Sequence, residues 1–158
     1  MQKNIIKNLD GLTPDESAKL LELERSVALD DARPNITNNF LSFVKYVWPE
    51  FIEGSHHKII NKKFNDLAEG KIKRLIVNMP PRHTKSEFAS YLLPAWMIGK
   101  NPKLKIIQAT HTADLAIDFG RKTKNLVDEP LYRELFSTRL QEDSQAAGKW
   151  KTEQGGEY

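Results

Sequence analysis

Apolar positions recur at helical spacing near the start of the chain. Leucines repeat over residues 14–31, behind Thr13 as an N-cap, Pro14 at the first helical position and Glu16 three residues after the cap. This pattern predicts a helix from about residue 14 to 31. Residues 32–39 then contain one proline and three asparagines, which predict a break.

Two further helices follow in the pattern. Their apolar positions are Phe40, Phe43, Val44 and Val47 in the first, and Ile59, Ile60, Phe64 and Leu67 in the second. Gly70 is placed to end the second helix as a C-cap. The outer face of that helix is basic, because lysines fill the positions between the apolar ones.

The pattern changes in the second half of the chain, where two short unbroken apolar runs occur. Residues 73–80 and 103–110 each have the length and character of a strand covered on both faces. An apolar helix is predicted after the first run, over 86–100, with a kink at Pro94. Another is predicted after the second run, over 112–129.

This order of strand, loop, helix, strand and helix predicts βαβ units and a parallel sheet, hence an α/β fold. A short strand is also predicted within residues 149–153. The pattern ends without completing the sheet, so the chain is expected to be the first part of a domain. An incomplete sheet exposes an unpaired edge, which predicts poor solubility or self-association.

Composition narrows the class of protein. The 158 residues suit one domain, with 39% hydrophobic and 28% charged residues, and no apolar run approaches the roughly 20 residues of a membrane span. The chain has no cysteine, and residues 1–12 lack the pattern of a secretory signal. These features predict a cytoplasmic protein without disulfides or a membrane segment.

Charge is unevenly distributed, although the net charge is only +3. Residues 1–31 have four basic and seven acidic side chains, a net charge of −3. Residues 56–85 have eight basic and two acidic side chains, a net charge of +6. The basic region would attract polyanions such as nucleotides or nucleic acid, and a solvated helix face is the alternative.

The first apolar run leads into NMPPRHTKSEF at residues 78–88. This stretch partly matches the phosphate-binding pattern G-x-x-x-x-G-K-[ST]. Alignment on Lys85 and Ser86 places Met79 and Thr84 where the pattern has glycine, so the bare motif fails. The context fits, because Lys85 and Ser86 fall at a predicted helix N-terminus, where free amides and the helix dipole favour anions. From the residues alone, a phosphate site and an ordinary helix start are equally supported.

The stretch from His56 to Thr110 resembles the N-terminal ATPase domain of the large terminase subunit of tailed bacteriophages, the motor that packages DNA into capsids. The resemblance covers roughly residues 38–158, and its most specific part is the sequence Pro-Pro-Arg-His-x-Lys-Ser after an apolar run. It implies a P-loop NTPase fold of the RecA-like, ASCE type. The commonest family form has glycine where this chain has Thr84.

The resemblance also implies a set of site residues. Lys85 would contact the β and γ phosphates of ATP, Ser86 the Mg²⁺ ion, and Arg82 the γ phosphate, which makes Arg82 and Lys85 the catalytic candidates. The nucleotide-binding residues would be His56, Pro80, Pro81, Arg82, His83, Thr84, Lys85 and Ser86. His56 would lie near the adenine, or else serve only at the helix start. His57, His83 and His111 lack metal-ligand spacing.

By the same resemblance, residues 1–36 form a helical extension and residues 37–158 the first part of the ATPase domain. Hydrolysis requires an acidic pair after an apolar strand. Asp128 and Glu129 are rejected because they end a basic helix, so the acidic Walker B strand and the nuclease domain are expected beyond Tyr158. Binding of ATP with little hydrolysis is therefore expected.

The implied partners are double-stranded DNA, the portal protein, the small terminase subunit and further copies in a ring, in the cytoplasm of the infected host. Arg121, Lys122 and Lys124 could face DNA or a neighbouring subunit, or simply form a solvated helix face. Two other classes stay open: a non-catalytic module that binds DNA or a motor partner, and a fragment of another P-loop ATPase such as a helicase.

Overall fold

The structure, a computed structural model, describes residues 13–158. The helices are α1 (Pro14–Asn38), α2 (Phe40–Val47), α3 (Ser55–Ala68), α4 (Leu93–Lys100), α5 (Ala113–Asp128) and α6 (Pro130–Leu135). A π-helical segment, Glu87–Leu92, leads directly into α4, and strands β1 (Leu140–Ala146) and β2 (Lys149–Thr152) form an antiparallel hairpin. The chain divides into two compact units, Met1–Pro34 and Asn35–Tyr158. Of the predicted extension 1–36, residues 1–12 lie outside the described part.

The predicted P-loop NTPase fold, a parallel sheet flanked by helices, is wrong for this structure. The chain is 59% helical, and the sheet found among residues 13–158 has only two antiparallel strands, β1 and β2. The short strand predicted within residues 149–153 is confirmed as β2. The two apolar runs that were predicted as core strands lie outside this sheet.

Both apolar runs fail as sheet strands for a physical reason, which is that a strand needs a neighbour to share its backbone hydrogen bonds. Residues 74–80 have no ladder partner among the described residues, and the second run makes a single parallel bridge, from Lys105 to Glu157. Exposure alternates along each run, and Ile76 and Ile107 are 86% and 96% exposed. Each run is therefore an extended segment with one face covered and the other exposed, whereas two covered faces were predicted.

The first helix begins as predicted and ends later. The N–H of Glu16 donates to Thr13 Oγ1 at 3.3 Å and the N–H of Thr13 to Glu16 Oε2 at 2.8 Å, which confirms the capping box. The predicted break over residues 32–39 is wrong, because α1 continues through Pro34 to Asn38. Proline removes one backbone donor from the helix, and here that loss does not end it.

The chain turns instead at Asn39, where α2 begins. Helix starts leave backbone N–H groups without partners, and here asparagine side chains accept three of them. The N–H groups of Phe40, Leu41 and Ser42 donate to the Oδ1 atoms of Asn65, Asn61 and Asn39 at 3.0, 2.8 and 3.1 Å. Two of these asparagines belong to α3, so the same bonds fix α2 against α3.

The core is a cluster of aromatic side chains. Phe40 of α2 lies at its centre, with ring centroids 5.1 Å from Phe64, 5.3 Å from Phe88 and 5.7 Å from Trp96, all in edge-to-face geometry. The Trp96 indole N–H donates to the carbonyl of Thr37 at 3.0 Å. Because Phe88 comes from the helix that follows residues 79–86, this core also anchors that loop.

The other helix ends follow local rules. Gly70, with φ of 72°, follows α3, and the N–H of Lys71 donates to the carbonyl of Asp66 at 2.9 Å, as in a Schellman motif. Pro94, where a kink was predicted, lies just after the π-helical segment Glu87–Leu92. The kink itself stays a prediction.

Within residues 13–158, no helix combines the length and the apolar character needed to cross a membrane.

Candidate functional site

The loop of residues 79–86 joins the extended run 74–80 to the helix that begins at Lys85. Its backbone conformation is unusual, since Arg82 and Thr84 have φ of 63° and 60°, and they are the only non-glycine residues with positive φ in the described part of the chain. The signs of φ therefore alternate from Pro81 to Lys85. Such alternation turns successive backbone N–H groups toward one side and forms an anion-binding nest.

Four backbone donors of this nest are free to bind a ligand. In the described structure, no hydrogen bond engages the N–H groups of Arg82, Thr84, Lys85 and Ser86. The carbonyl of Thr84 accepts the N–H of Phe88 at 2.9 Å, so the helix starts directly behind the loop. The free amides therefore lie at the positive end of a helix dipole.

An open cleft of about 450 Å³ lies over the loop. Lys85, Ser86 and Arg82 line it, and all three are exposed. The Ser86 hydroxyl makes no helix-capping bond. A cation, a hydroxyl and a set of backbone donors thus face one space, which is the chemistry that a phosphate group requires.

Thr84 adopts its positive φ against its own preference. A left-handed conformation costs an L-residue roughly 1–2 kcal/mol, and a β-branched residue is a marked outlier there. The Thr84 hydroxyl lies 2.8 Å from Nε2 of His57 and donates to the carbonyl of His83 at 2.6 Å. Side-chain bonds on both sides of this hydroxyl therefore hold the residue.

His57 is fixed in turn by its own surroundings. Its Nδ1 accepts the N–H of Gly54 at 2.8 Å, which completes the cap of α3, and its ring lies 4.7 Å from Phe51 and 5.0 Å from Phe88. The side chain is 4% exposed. Burial lowers the pKa of His57, and the neighbouring His56 and His83 lower it further while Glu53 opposes them.

The ring of His56 lies between those of His57 and His83, tilted against the first and edge-to-face with the second. The ring of His56 lies 3.8 Å from His57 and 5.6 Å from His83, and His83 Nδ1 donates to the carbonyl of Pro81 at 2.8 Å. Nε2 of His56 is buried and has no hydrogen-bond partner among the described residues. A second cleft of about 270 Å³ lies beside His56 and shares Met79 with the loop cleft.

The structure thus brings together the residues singled out in the sequence. Those residues are His56, Pro80, Pro81, Arg82, His83, Thr84, Lys85 and Ser86. It places His57 among them, a residue that the sequence analysis considered only as a metal ligand. The available signal was its place three residues after Gly54, where a side chain can cap the helix start.

Other charged groups lie in ordinary surface pairs. Lys122 of α5 forms an ion pair with Glu87 at 3.2 Å, and Arg121 pairs with Asp118 at the same distance. Asp128 pairs with Arg133. Over the described residues, no cluster of three or more histidine or acidic side chains could hold a metal ion.

A further open cleft of about 430 Å³ lies against residues 105–108 and α5. It is mainly apolar, and its lining offers two lysines and one glutamate, of which Lys149 and Glu157 pair at 3.3 Å. Unlike the loop cleft, it has no free backbone amides at a helix start. The loop cleft is therefore the better candidate for chemistry.

Comparisons of the chain with protein-family models, with curated proteins and with solved structures found no significant match.

Proposed function

We propose that the loop of residues 79–86 binds the phosphates of ATP together with Mg²⁺, and that the chain is the ATP-binding N-terminal portion of a phage terminase large subunit. The observation that carries the proposal is the alternation of φ through Arg82 and Thr84, which leaves unpaired amides beside Lys85 and Ser86. A helix start without a ligand needs no such conformation. Resemblance of the sequence to the terminase family supports the choice of nucleotide.

Each side chain has a role in this proposal. Lys85 contacts the β and γ phosphates, Ser86 contributes a hydroxyl to Mg²⁺, and Arg82 stabilises charge on the γ phosphate. His56 contacts the adenine through the part of its ring that lines the second cleft, which also includes Met79 of the loop. Pro80 and Pro81 restrict the loop entry because their φ angles are fixed.

We expect little hydrolysis from these residues alone. A carboxylate must hold Mg²⁺ and orient the attacking water, and the acidic group of the loop cleft, Glu87, is paired with Lys122. In the proposed role, hydrolysis and the translocation of double-stranded DNA belong to the assembled motor, a ring that works with the portal protein and the small subunit in the host cytoplasm.

A second candidate function is binding of DNA or of a motor partner without nucleotide. It is favoured by the exposed basic side chains of α3 and of the segment that follows it, which are Lys58, Lys62, Lys63, Lys71, Lys73 and Arg74. Such a surface binds polyanions through charge and depends strongly on salt. DNA binding that survives Lys85→Ala in a chain that binds no ATP would favour this candidate.

The test of ATP binding is titration of a fluorescent ATP analogue with Mg²⁺ against the purified chain and Lys85→Ala. Lys103→Ala is the matched control, since Lys103 is equally exposed and lies away from the loop. Loss of a charge-assisted contact should weaken binding about 10- to 100-fold in Lys85→Ala and leave Lys103→Ala unchanged. Equal affinity in all three folded proteins would overturn the proposal.

A further inference from the structure

The loop lacks the glycine that its conformation favours. Glycine adopts positive φ without steric cost, whereas Thr84 and Arg82 carry side chains. A residue held in such a conformation persists only when surrounding contacts over-determine it. For Arg82, which is exposed, no side-chain contact is found in the described structure, whereas Thr84 contacts a buried group of α3.

The direction of that contact follows from the hydrogen bonds around His57. Because Nδ1 accepts the N–H of Gly54, the proton of the neutral ring lies on Nε2. His57 therefore donates to Thr84 Oγ1, and the hydroxyl donates onward to the carbonyl of His83. The hydroxyl is thus held at both ends, which fixes the side chain and the backbone of the loop next to it.

The donor also packs against the helix that carries Lys85. His57 lies against Phe88, and the N–H of Phe88 bonds to the carbonyl of Thr84. The ring of Phe88 thus packs on His57, and the backbone N–H of Phe88 bonds to Thr84. His57, Thr84 and Phe88 form a closed set of contacts between the start of α3 and the start of the following helix.

We propose that His57 is a positioning residue, whose hydrogen bond to Thr84 holds the glycine-free loop in its phosphate-binding conformation. The inference rests on the proposed function, since it assigns a role within the same site. In this arrangement the hydrogen bond between His57 and Thr84, which are 27 positions apart, stabilises the positive φ that a glycine would adopt without steric cost. It follows that His57 becomes dispensable for binding when residue 84 is glycine.

The experiment is a mutant cycle on affinity for a fluorescent ATP analogue with Mg²⁺. The proteins are the unchanged chain, His57→Leu, Thr84→Gly and the double variant. We expect His57→Leu to weaken binding about tenfold when Thr84 is present, the effect of one lost hydrogen bond in a constrained site, and to have less than about a threefold effect beside Thr84→Gly. Equal weakening in both backgrounds would show a general structural role and overturn the inference.

Two variants of the loop itself keep the test valid if His57→Leu fails to fold. Thr84→Val preserves shape and removes the hydroxyl, and Thr84→Ser keeps the hydroxyl. We expect weaker binding for Thr84→Val and near-normal binding for Thr84→Ser, and equal affinities in these two variants would refute the inference.

Failure of the proposed function gives a different result. In that case the unchanged chain and Lys85→Ala bind the analogue equally or not at all, whatever residue occupies position 84. A chain that binds in a Lys85-dependent manner but shows no coupling between positions 57 and 84 retains the function and loses only the role of His57.

Discussion

The chain contains two junctions with the same order of elements, and they are built differently. In each, an extended run with alternating exposure leads through a short turn into a helix, once at residues 79–86 and once before α5. The second junction uses an ordinary cap: Thr112 has φ of −134°, and its hydroxyl accepts the N–H of Leu115 at 3.4 Å. The first uses positive φ at Arg82 and Thr84 and a contact to His57.

The difference between the two junctions shows which features are needed to start a helix and which are expected only at a ligand-binding site. Starting a helix after an extended run needs only a local cap, as Thr112 shows. At the first junction two residues take costly conformations, and at Thr84 that cost is offset by a contact from outside the loop, with His57. Strain of this kind is typical of positions where a ligand binds, and it is absent at the second junction.

The largest effect should come from the packing that supports the first junction. Phe88 is fully buried and contacts Phe40, Phe51 and His57. Phe88→Ala should lower the free energy of unfolding by about 3–5 kcal/mol, because it removes a core ring and leaves a cavity. Urea unfolding followed by circular dichroism measures this, with the partly exposed Ile117→Ala of α5 as the comparison. Similar decreases in the free energy of unfolding for Phe88→Ala and Ile117→Ala would contradict the expectation that packing at the first junction has the larger effect.

At the second junction the effect of removing the cap should be smaller. Thr112→Ala should lower the free energy of unfolding by about 1 kcal/mol, because the N–H of Leu115 loses its acceptor. The same urea titration measures it. ATP affinity should stay unchanged, and a loss of affinity would mean that the two junctions are not independent.

Acidification should affect the first junction alone. The pKa of His57 is lowered in the folded chain. Below about pH 6.5 the imidazole of residue 57 is therefore protonated more readily in the unfolded chain, and the free energy of unfolding decreases as the pH is lowered. The stabilisation is complete above pH 6.5 and is lost as pH falls through the folded pKa. Melting temperatures across this range should decline more steeply for the unchanged chain than for His57→Gln, because the glutamine side chain does not titrate. Parallel declines would argue against a depressed pKa.

The smallest effect concerns the ion pair between the helices that follow the two junctions. Glu87 and Lys122 are partly exposed, so their pair should contribute about 0.5 kcal/mol or less. A double-mutant cycle with Glu87→Gln and Lys122→Met measures the coupling, which should diminish in salt. A coupling above roughly 1 kcal/mol would indicate that this ion pair contributes substantially to holding the two helices together.

Features governed by neighbours in sequence were predicted well. The cap at Thr13, the end of α3 at Gly70 and the start of α5 at Thr112 each depend on a few adjacent residues, and all three are confirmed. The binding role of the residues around Lys85 stays a prediction, although most of them line one cleft. Features set by a few neighbouring residues can therefore be predicted from this sequence.

Features governed by distant partners were not predictable in the same way. An apolar run forms a sheet strand only if another strand pairs with it, and the composition of residues 74–80 contains no information about that partner. The continuation of α1 through Pro34 depends on its surroundings for the same reason. The contact of His57 with Thr84 joins two helix starts that no periodicity connects.

The π-helical segment Glu87–Leu92 gives this region of the gene some tolerance to a change in length. Its wide turn accommodates one residue more than an α-helix would. Loss of a single codon there would restore the α-helix and leave Lys85 and Trp96, on either side of the segment, in nearly the same orientation relative to each other. The aromatic core and the cation of the cleft would then both be kept. A deletion of one residue is therefore expected to be tolerated better within these six positions than in the regular turns of α4.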